Sequence, residues 1–341
     1  MASLVTAVLF LVVCISWGTT WLGIKIAVES VPPLTAAGLR FLIAFPLFLL
    51  FARLRHETIF FPRRLLAFFV FVTLGYFSVP YYLLNYGEQY VASGLTALLF
   101  SSMPVFILIF SAIFLRERIY LSQILGIAIG FGSLFMIIRS QGLHLDYTEL
   151  LGVLAILLAA IMHALSYVIT KRQGADIGVI TFNTLPIGIA GLGLFMAGLV
   201  MEHPNLSAVT SRSWAALIYL GLVASVGGFI VYFFLLKRLS PVVLSFVFII
   251  FPVFAVIIGA WYEGVAISRE LIGFTVLLLA GFAITKLPIE KLLGRRRHEY
   301  ERVDRACIER DLQTRLQDLS KGMLRIRSRR CKSERGYEHP G

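Results

Sequence analysis

Charged side chains are scarce in this chain, and acidic ones are missing from the places where many membrane carriers keep them. Only 15% of the 341 residues are charged, too few to cover a soluble domain of this length. No Asp or Glu falls near the middle of any long apolar run. That absence argues against paired carboxylates for acid–base work and against strong coupling to a proton or sodium gradient, which commonly uses a buried carboxylate. The three cysteines, Cys14, Cys307 and Cys331, form no CxxC pair and no metal-ligand spacing, so neither a disulfide framework nor a metal site is expected. HExxH, GxSxG and P-loop motifs are absent, and no cofactor or enzymatic activity is expected. The N-terminus has no basic leader and no small-residue cleavage site followed by a soluble domain. It reads as a retained membrane span rather than a signal peptide.

What is present is apolar surface: 58% of the residues are hydrophobic, an excess that points to a polytopic membrane protein. A helix needs roughly 20 mostly apolar residues to cross the hydrocarbon. Ten such segments fit, at about 4–24, 33–52, 65–86, 93–115, 121–139, 149–170, 177–201, 213–236, 241–263 and 268–288. Alternate connections hold ten basic residues (Arg53, Arg55, Arg63, Arg64, Arg116, Arg118, Lys171, Arg172, Lys237, Arg238) against four on the other side (Lys25, Arg139, Arg212, Arg269). Basic residues stay in the cytoplasm, so a multi-pass protein of the cell membrane (the inner membrane in a bacterium) is expected, with both termini cytoplasmic.

The halves repeat. "SSMPVFILIF" at 101–110 resembles "IIFPVFAVII" at 249–258, and Lys25/Lys171, Gly75/Gly221, Glu117/Glu263 and Ser122/Ser268 are each 146 residues apart. Five spans per half is an odd number, so the copies must sit in opposite orientations, an architecture that places a substrate site near the midplane. The fold class expected is an all-α polytopic membrane protein: two inverted five-helix repeats, 1–144 and 145–290, followed by a basic tail, 291–341.

"WGTTWLGIKIA", "LRFLIAFPLFLL", "YGEQYVASGLTALLFSSMPVFILIFSAIFLRERI" and, in the second half, "LKRLSPVVLSFVFIIFPVFAVIIGAWYEG" resemble the EamA family of the drug/metabolite transporter superfamily. The resemblance covers about residues 5–290. It implies ten helices and the movement of small metabolites, often outward, with amino acids among them.

Polar groups inside the spans nominate the site. In "SWGTTW" (16–21), Ser16, Thr20 and Gly23 share a helical face and Trp17 and Trp21 an adjoining one, as a cavity wall requires; packing alone is the competing reading. The third span carries a stripe of Gly75, Ser78, Tyr82, Asn85 and Gln89; the sixth carries His163, Ser166, Tyr167 and Thr170; the eighth Ser225, Gly228 and Tyr232; the fourth Ser101 and Ser102. Such groups are costly against lipid and should face the bundle interior. Arg40, seven residues into the second span, is available to a substrate carboxylate or to backbone carbonyls. His163 is a candidate proton relay or a hydrogen-bonded packing residue. Pro104 and Pro252, at matching places in the halves, are hinge candidates. Glu117 and Glu263 are gating candidates at helix ends that could equally serve as caps or ion-pair partners, with Ser122 and Ser268 as N-caps.

The last 56 residues hold 16 Lys and Arg against 9 Asp and Glu. Beside a hydrophobic body this makes anionic lipid, not nucleic acid, the expected partner of the tail. The sequence leaves oligomeric state open. The function expected is outward transport of small metabolites, amino acids or related compounds, by alternating access as a facilitator or exchanger. Exchange of phosphorylated or nucleotide-linked sugars is the alternative within transport, and a membrane sensor or scaffold presenting its tail is the alternative outside it.

Overall fold

The computed structural model describes residues 2–116, 119–140, 146–174, 177–236, 238–239, 247–264 and 266–286. The basic tail and Glu117 lie outside the described residues. All regular structure among the described residues is helical. In order, the helices are α1 (Ala2–Val28), α2 (Pro33–Arg55), α3 (Leu66–Phe71), a π-helical stretch (Val72–Ser78), α4 (Val79–Tyr90), α5 (Ser93–Phe100), α6 (Met103–Leu115), α7 (Leu121–Ser140), α8 (Tyr147–Gln173) and α9 (Val179–Met201). They continue with α10 (Ser211–Tyr219), a second π-helical stretch (Leu220–Gly227), α11 (Gly228–Leu236), α12 (Val247–Glu263) and α13 (Arg269–Lys286). Among the described residues seven segments are long and apolar enough to cross a membrane, and Leu121–Ile137 and Ile250–Glu263 are shorter apolar helices.

The side-chain distribution is that of a bilayer protein. Large apolar groups such as Leu4, Leu11, Leu154, Val200 and Trp261 face outward, while Ser16, Arg40, Thr73, Asn85, Glu88 and His163 are buried inside. With lipid as the solvent, outward apolar surface costs nothing and polar groups gain by meeting each other.

Packing is symmetric between the halves. α2 lies along α9, α7 along α13 and α5 against α12, each pairing a span with its counterpart in the other half. The packing of α4, in the third span of the first half, against α8, the first span of the second, is mirrored by α10 and α11 against α1. The two π-helical stretches begin at Val72 and Leu220, in the third span of each half and at the spacing of Pro104 and Pro252. Glycines set the closest approaches: a Cβ on Gly38 of α2 would stand 2.5 Å from the Phe195 nitrogen of α9. A Cβ on Gly18 of α1 would stand 2.6 Å from Phe254 Cβ of α12, so the small residue in SWGTTW admits a neighbouring helix.

Proline and serine breaks refine the expected spans. The fourth span is split at a turn over Ser101–Ser102, and Pro104 opens α6 in its first turn. There its missing N–H costs no helical bond, so it starts a helix rather than bending one. Pro252 sits inside α12. Ser268 accepts from the Leu271 N–H (3.0 Å) as an N-cap does, whereas α7 begins at Leu121 and places Ser122 within its first turn.

Candidate functional site

A cavity of about 360 Å³ occupies the middle of the bundle, within the size range of small-molecule sites. It runs from Ile24 and Leu84 at one end to Thr170, Gly174 and Ile177 at the other. That second end reaches the last turn of α8, which carries Lys171 and Arg172, and the start of the α8–α9 connection. The first end is closed by a polar network at the opposite face of the bundle. There the Glu202 carboxylate accepts from the Leu34 and Thr35 N–H groups (2.8 and 2.9 Å) and from the Thr35 hydroxyl (2.7 Å). Glu263 accepts from the Ser93 N–H (2.9 Å) and hydroxyl (2.6 Å). Both carboxylates cap helix N-termini, where the macrodipole favours negative charge. Ser213 donates to the Ile26 carbonyl and receives a bond from Ser30, both at 2.8 Å.

The cavity wall is aromatic and cationic. Trp17 stacks on Tyr232 (5.1 Å between centroids), and Trp21 meets Phe100 (5.0 Å). Gly228 makes room for the indole: a Cβ there would lie 2.6 Å from Trp17 Nε1. Arg40 lines the cavity and is only 4% exposed. Its Nε donates to Ser225 Oγ (3.1 Å), and its guanidinium carbon lies 5.0 Å from the centre of the Tyr81 ring. Its Nη1 has no hydrogen-bond partner. Among the described residues no carboxylate lines the cavity. Trp21 Nε1, Thr170 Oγ1 and Asn183 Oδ1, all on lining residues, also lack partners. A buried polar group left unpaired costs about 1–3 kcal/mol, so this wall offers donors at Arg40 and Trp21 and an acceptor at Asn183 to a polar molecule that enters.

His163 is held from both sides. Its Nδ1 pairs with the Ala159 carbonyl (2.9 Å). A carbonyl only accepts, so that nitrogen carries the proton. The ring stands edge-on to Tyr76, Tyr81 and Phe100, with centroids 4.9, 5.4 and 5.3 Å away. Histidine is thus both hydrogen-bonded in the packing and part of the cavity wall.

Of the residues that the sequence nominates, Trp17, Thr20, Trp21, Arg40, His163, Tyr167 and Tyr232 line this cavity. Thr20 also donates to the Ser16 carbonyl of its own helix (2.8 Å). Ser225 positions Arg40. The others stand elsewhere. Ser78 donates to the Thr73 carbonyl, Asn85 to the Tyr81 carbonyl (both 2.8 Å) and Ser101 to the Leu98 carbonyl (2.7 Å). Tyr82 packs towards Tyr86, their ring centroids 6.1 Å apart. The expected stripe through Ser78, Tyr82 and Asn85 assumed 3.6 residues per turn. The π-helical stretch Val72–Ser78 breaks that period, and Tyr76, Tyr81 and Leu84 face the cavity instead. The spacing from Tyr76 to Tyr81 is the i, i+5 step of a π-helix. Pro80 explains the change locally, because it has no N–H to give to the Tyr76 carbonyl. Besides Tyr76 and Tyr81, the sequence reading missed Asn183; Pro80 was the available signal for the first two, and for Asn183 none stands out.

Comparison with known proteins agrees with this architecture. The EamA-like transporter family matches the chain twice, over residues 4–139 and 150–287. Protein PagO of Salmonella typhimurium is 38% identical over 279 residues, spanning 82% of this chain and 92% of that protein. An uncharacterized transporter of Buchnera aphidicola subsp. Schizaphis graminum is 36% identical over 85% of this chain and 96% of its own length. The uncharacterized inner membrane transporter YedA of Escherichia coli (strain K12) is 31% identical over 80% of this chain and 87% of its own. A solved crystal structure sharing 19% identity superposes with a TM-score of 0.61 over 85% of this chain and 98% of that one, a likeness of fold. The doubled match, the symmetric helix packing and the central cavity agree, and the chain is a multi-pass membrane protein belonging to the EamA-like transporter family.

Proposed function

We propose that the protein carries small carboxylate-bearing metabolites, amino acids and related compounds, across the membrane by alternating access, in the outward direction. Arg40 carries this reading: a buried cation in an aromatic cavity, with one terminal nitrogen unpaired and no carboxylate on the wall. A substrate carboxylate supplies the missing acceptor, and charge-assisted pairing in a low-dielectric site is strong. Asn183 supplies the opposite pole. Its Nδ2 donates to the Val179 carbonyl (2.7 Å), leaving Oδ1 to accept from a substrate amino group. A single guanidinium suits a carboxylate better than a sugar phosphate or nucleotide, which carries more negative charge.

In this reading ten spans form two inverted repeats with both termini cytoplasmic, following the basic residues. The cavity mouth near Thr170 and Gly174 then faces the cytoplasm, and the network around Glu202 and Glu263 seals the outer end. An exporter loads from the side this conformation presents. The two π-helical stretches flank the cavity and supply matched sites where the halves can rearrange.

The test is counterflow in proteoliposomes preloaded with an unlabelled amino acid. Saturable uptake of labelled amino acids that is lost in Arg40→Gln supports the reading. Equal flux in wild type and Arg40→Gln refutes the carboxylate site, and flux of sugar phosphates alone replaces the substrate class.

A further inference from the structure

A buried carboxylate that the cavity does not use lies just beyond its closed end. Ile24 and Leu84 form that end wall. Lys25 follows Ile24 directly, and Glu88 follows Leu84 by one turn of α4. The sequence reading ended the third span near residue 86 and so left Glu88 outside; the helix continues to Tyr90 and buries it. Glu88 is 0% exposed, and neither carboxylate oxygen has a hydrogen-bond partner.

The groups around it, apart from Glu149, whose Oε2 is also without a partner, are engaged elsewhere. The Lys25 ammonium donates to the main-chain carbonyls of Glu88 (2.7 Å), Val91 (3.1 Å) and Gln89 (3.5 Å), capping the C-terminus of α4. The Thr96 hydroxyl on α5 is near enough to the Glu88 carboxylate to interact with it, yet it donates its one proton to the Ala92 carbonyl (3.2 Å), and neither carboxylate oxygen has a partner in hydrogen-bond geometry. Glu263 on α12 is a second carboxylate on the same side, held by Ser93. On α8, Glu149 stands one turn before Gly152, which packs against Tyr90 and Val91. Glu29 follows the end of α1 and accepts from the Tyr262 hydroxyl (3.2 Å). Among the described neighbours Lys25 is therefore the one cation, and it is spent on carbonyls. An isolated carboxylate anion taken out of water without a partner costs several kcal/mol.

We propose that Glu88 is a proton-binding site that latches the outer end of the transporter, carrying a proton in the closed conformation seen here and releasing it to external water when that end opens. In the step, the Glu88 O–H bond breaks, its electron pair stays on the carboxylate and the proton leaves as hydronium. The Lys25 ammonium then exchanges carbonyls of α4 for the carboxylate. The proton enters and leaves by the same face, so none is driven across the membrane, and exchange without net proton transport is preserved. External pH instead sets how often the outer end opens. Opening releases a proton, so it becomes more favourable as pH rises, by up to about tenfold per pH unit for one proton. The word "outer" rests on the topology proposed above; the latch itself does not depend on any substrate.

The test uses the full chain in nanodiscs with Cys307 and Cys331 changed to Ser and Val91→Cys as reporter. Val91 is 1% exposed, accepts from Lys25 through its carbonyl and lies outside the cavity lining. Labelling by a small thiol reagent is followed across pH with and without Glu88→Gln, and the parent without Val91→Cys sets the blank. The amide imitates the protonated acid and fits the same space. The ratio of the rate with Glu88 to the rate in the E88Q background should climb by up to about tenfold per pH unit, with the E88Q background slow throughout. A constant ratio, or no labelling of either form at any pH, overturns the latch. Independently of folding in the variant, the wild-type infrared spectrum at neutral pH should show a protonated carboxylic acid band that shifts with isotopically labelled glutamate. Absence of that band also overturns it. Neither measurement needs transport, so failure of the latch and failure of the carboxylate-transport reading are told apart.

Discussion

Replacing Arg40 should separate binding from stability. The guanidinium has one side-chain hydrogen bond, to Ser225, and a ring contact with Tyr81, while Nη1 is unpaired. Holding such a cation inside the bundle is a cost to the fold, and replacing a buried charged group by an uncharged one of similar volume is often neutral or stabilising. Arg40→Gln or Arg40→Met should therefore leave the melting temperature unchanged or raise it. A substrate carboxylate bound to this group gains hydrogen bonds to a charged donor, each about 1.5–3 kcal/mol, which is roughly 10- to 150-fold in affinity. The concentration giving half-maximal counterflow should rise by about that factor for amino acids. Their decarboxylated amines should respond alike to wild type and variant. The assays are thermal unfolding in detergent and counterflow with the paired substrates. A melting temperature that falls by several degrees with unchanged half-saturation would show that Arg40 is a packing residue, and the carboxylate site would be refuted.

Deleting Leu74, which faces outward within the first π-helical stretch, should restore an α-helical period. With an α-helical period Tyr76 and Tyr81 would stand about 140° apart around the axis, so both could not face the cavity. Counterflow should fall at least about tenfold while unfolding stays cooperative; retained flux would mean that the stretch has no role in the site. Gly38→Leu drives a side chain into the Phe195 backbone, where even a Cβ would stand 2.5 Å from nitrogen. Overpacking costs about 1–3 kcal/mol or more, read as a lowered melting temperature or loss of the monodisperse protein on size exclusion, and an unchanged melt would contradict the α2–α9 packing. Glu263→Gln should cost about 1 kcal/mol through the weakened cap on α5. Ser93→Ala should add little to it, since both remove one interaction; additive losses in the double variant would argue against that pairing.

The sequence alone determined the class of this protein. Apolar runs of span length, the duplicated pattern around Pro104 and Pro252 and the polar residues interrupting those runs need no coordinates, because lipid as a solvent forces apolar groups outward and polar groups inward along every span. That is why Trp17, Trp21, Arg40 and His163 could be named from one chain. The fine placement was decided by tertiary structure. A 3.6-residue template cannot register a π-helical stretch, so it chose Tyr82 and Asn85 where Tyr76 and Tyr81 face the cavity. Hydropathy sees Glu88 only as a charge at the end of a run, while the packing of α1, α5 and α8 around the last turn of α4 is what removes it from water. Which of two neighbouring tyrosines faces the cavity, and whether a glutamate keeps its hydration, depend on contacts between residues more than sixty positions apart, such as Lys25 with the α4 carbonyls, and a linear pattern carries no record of those.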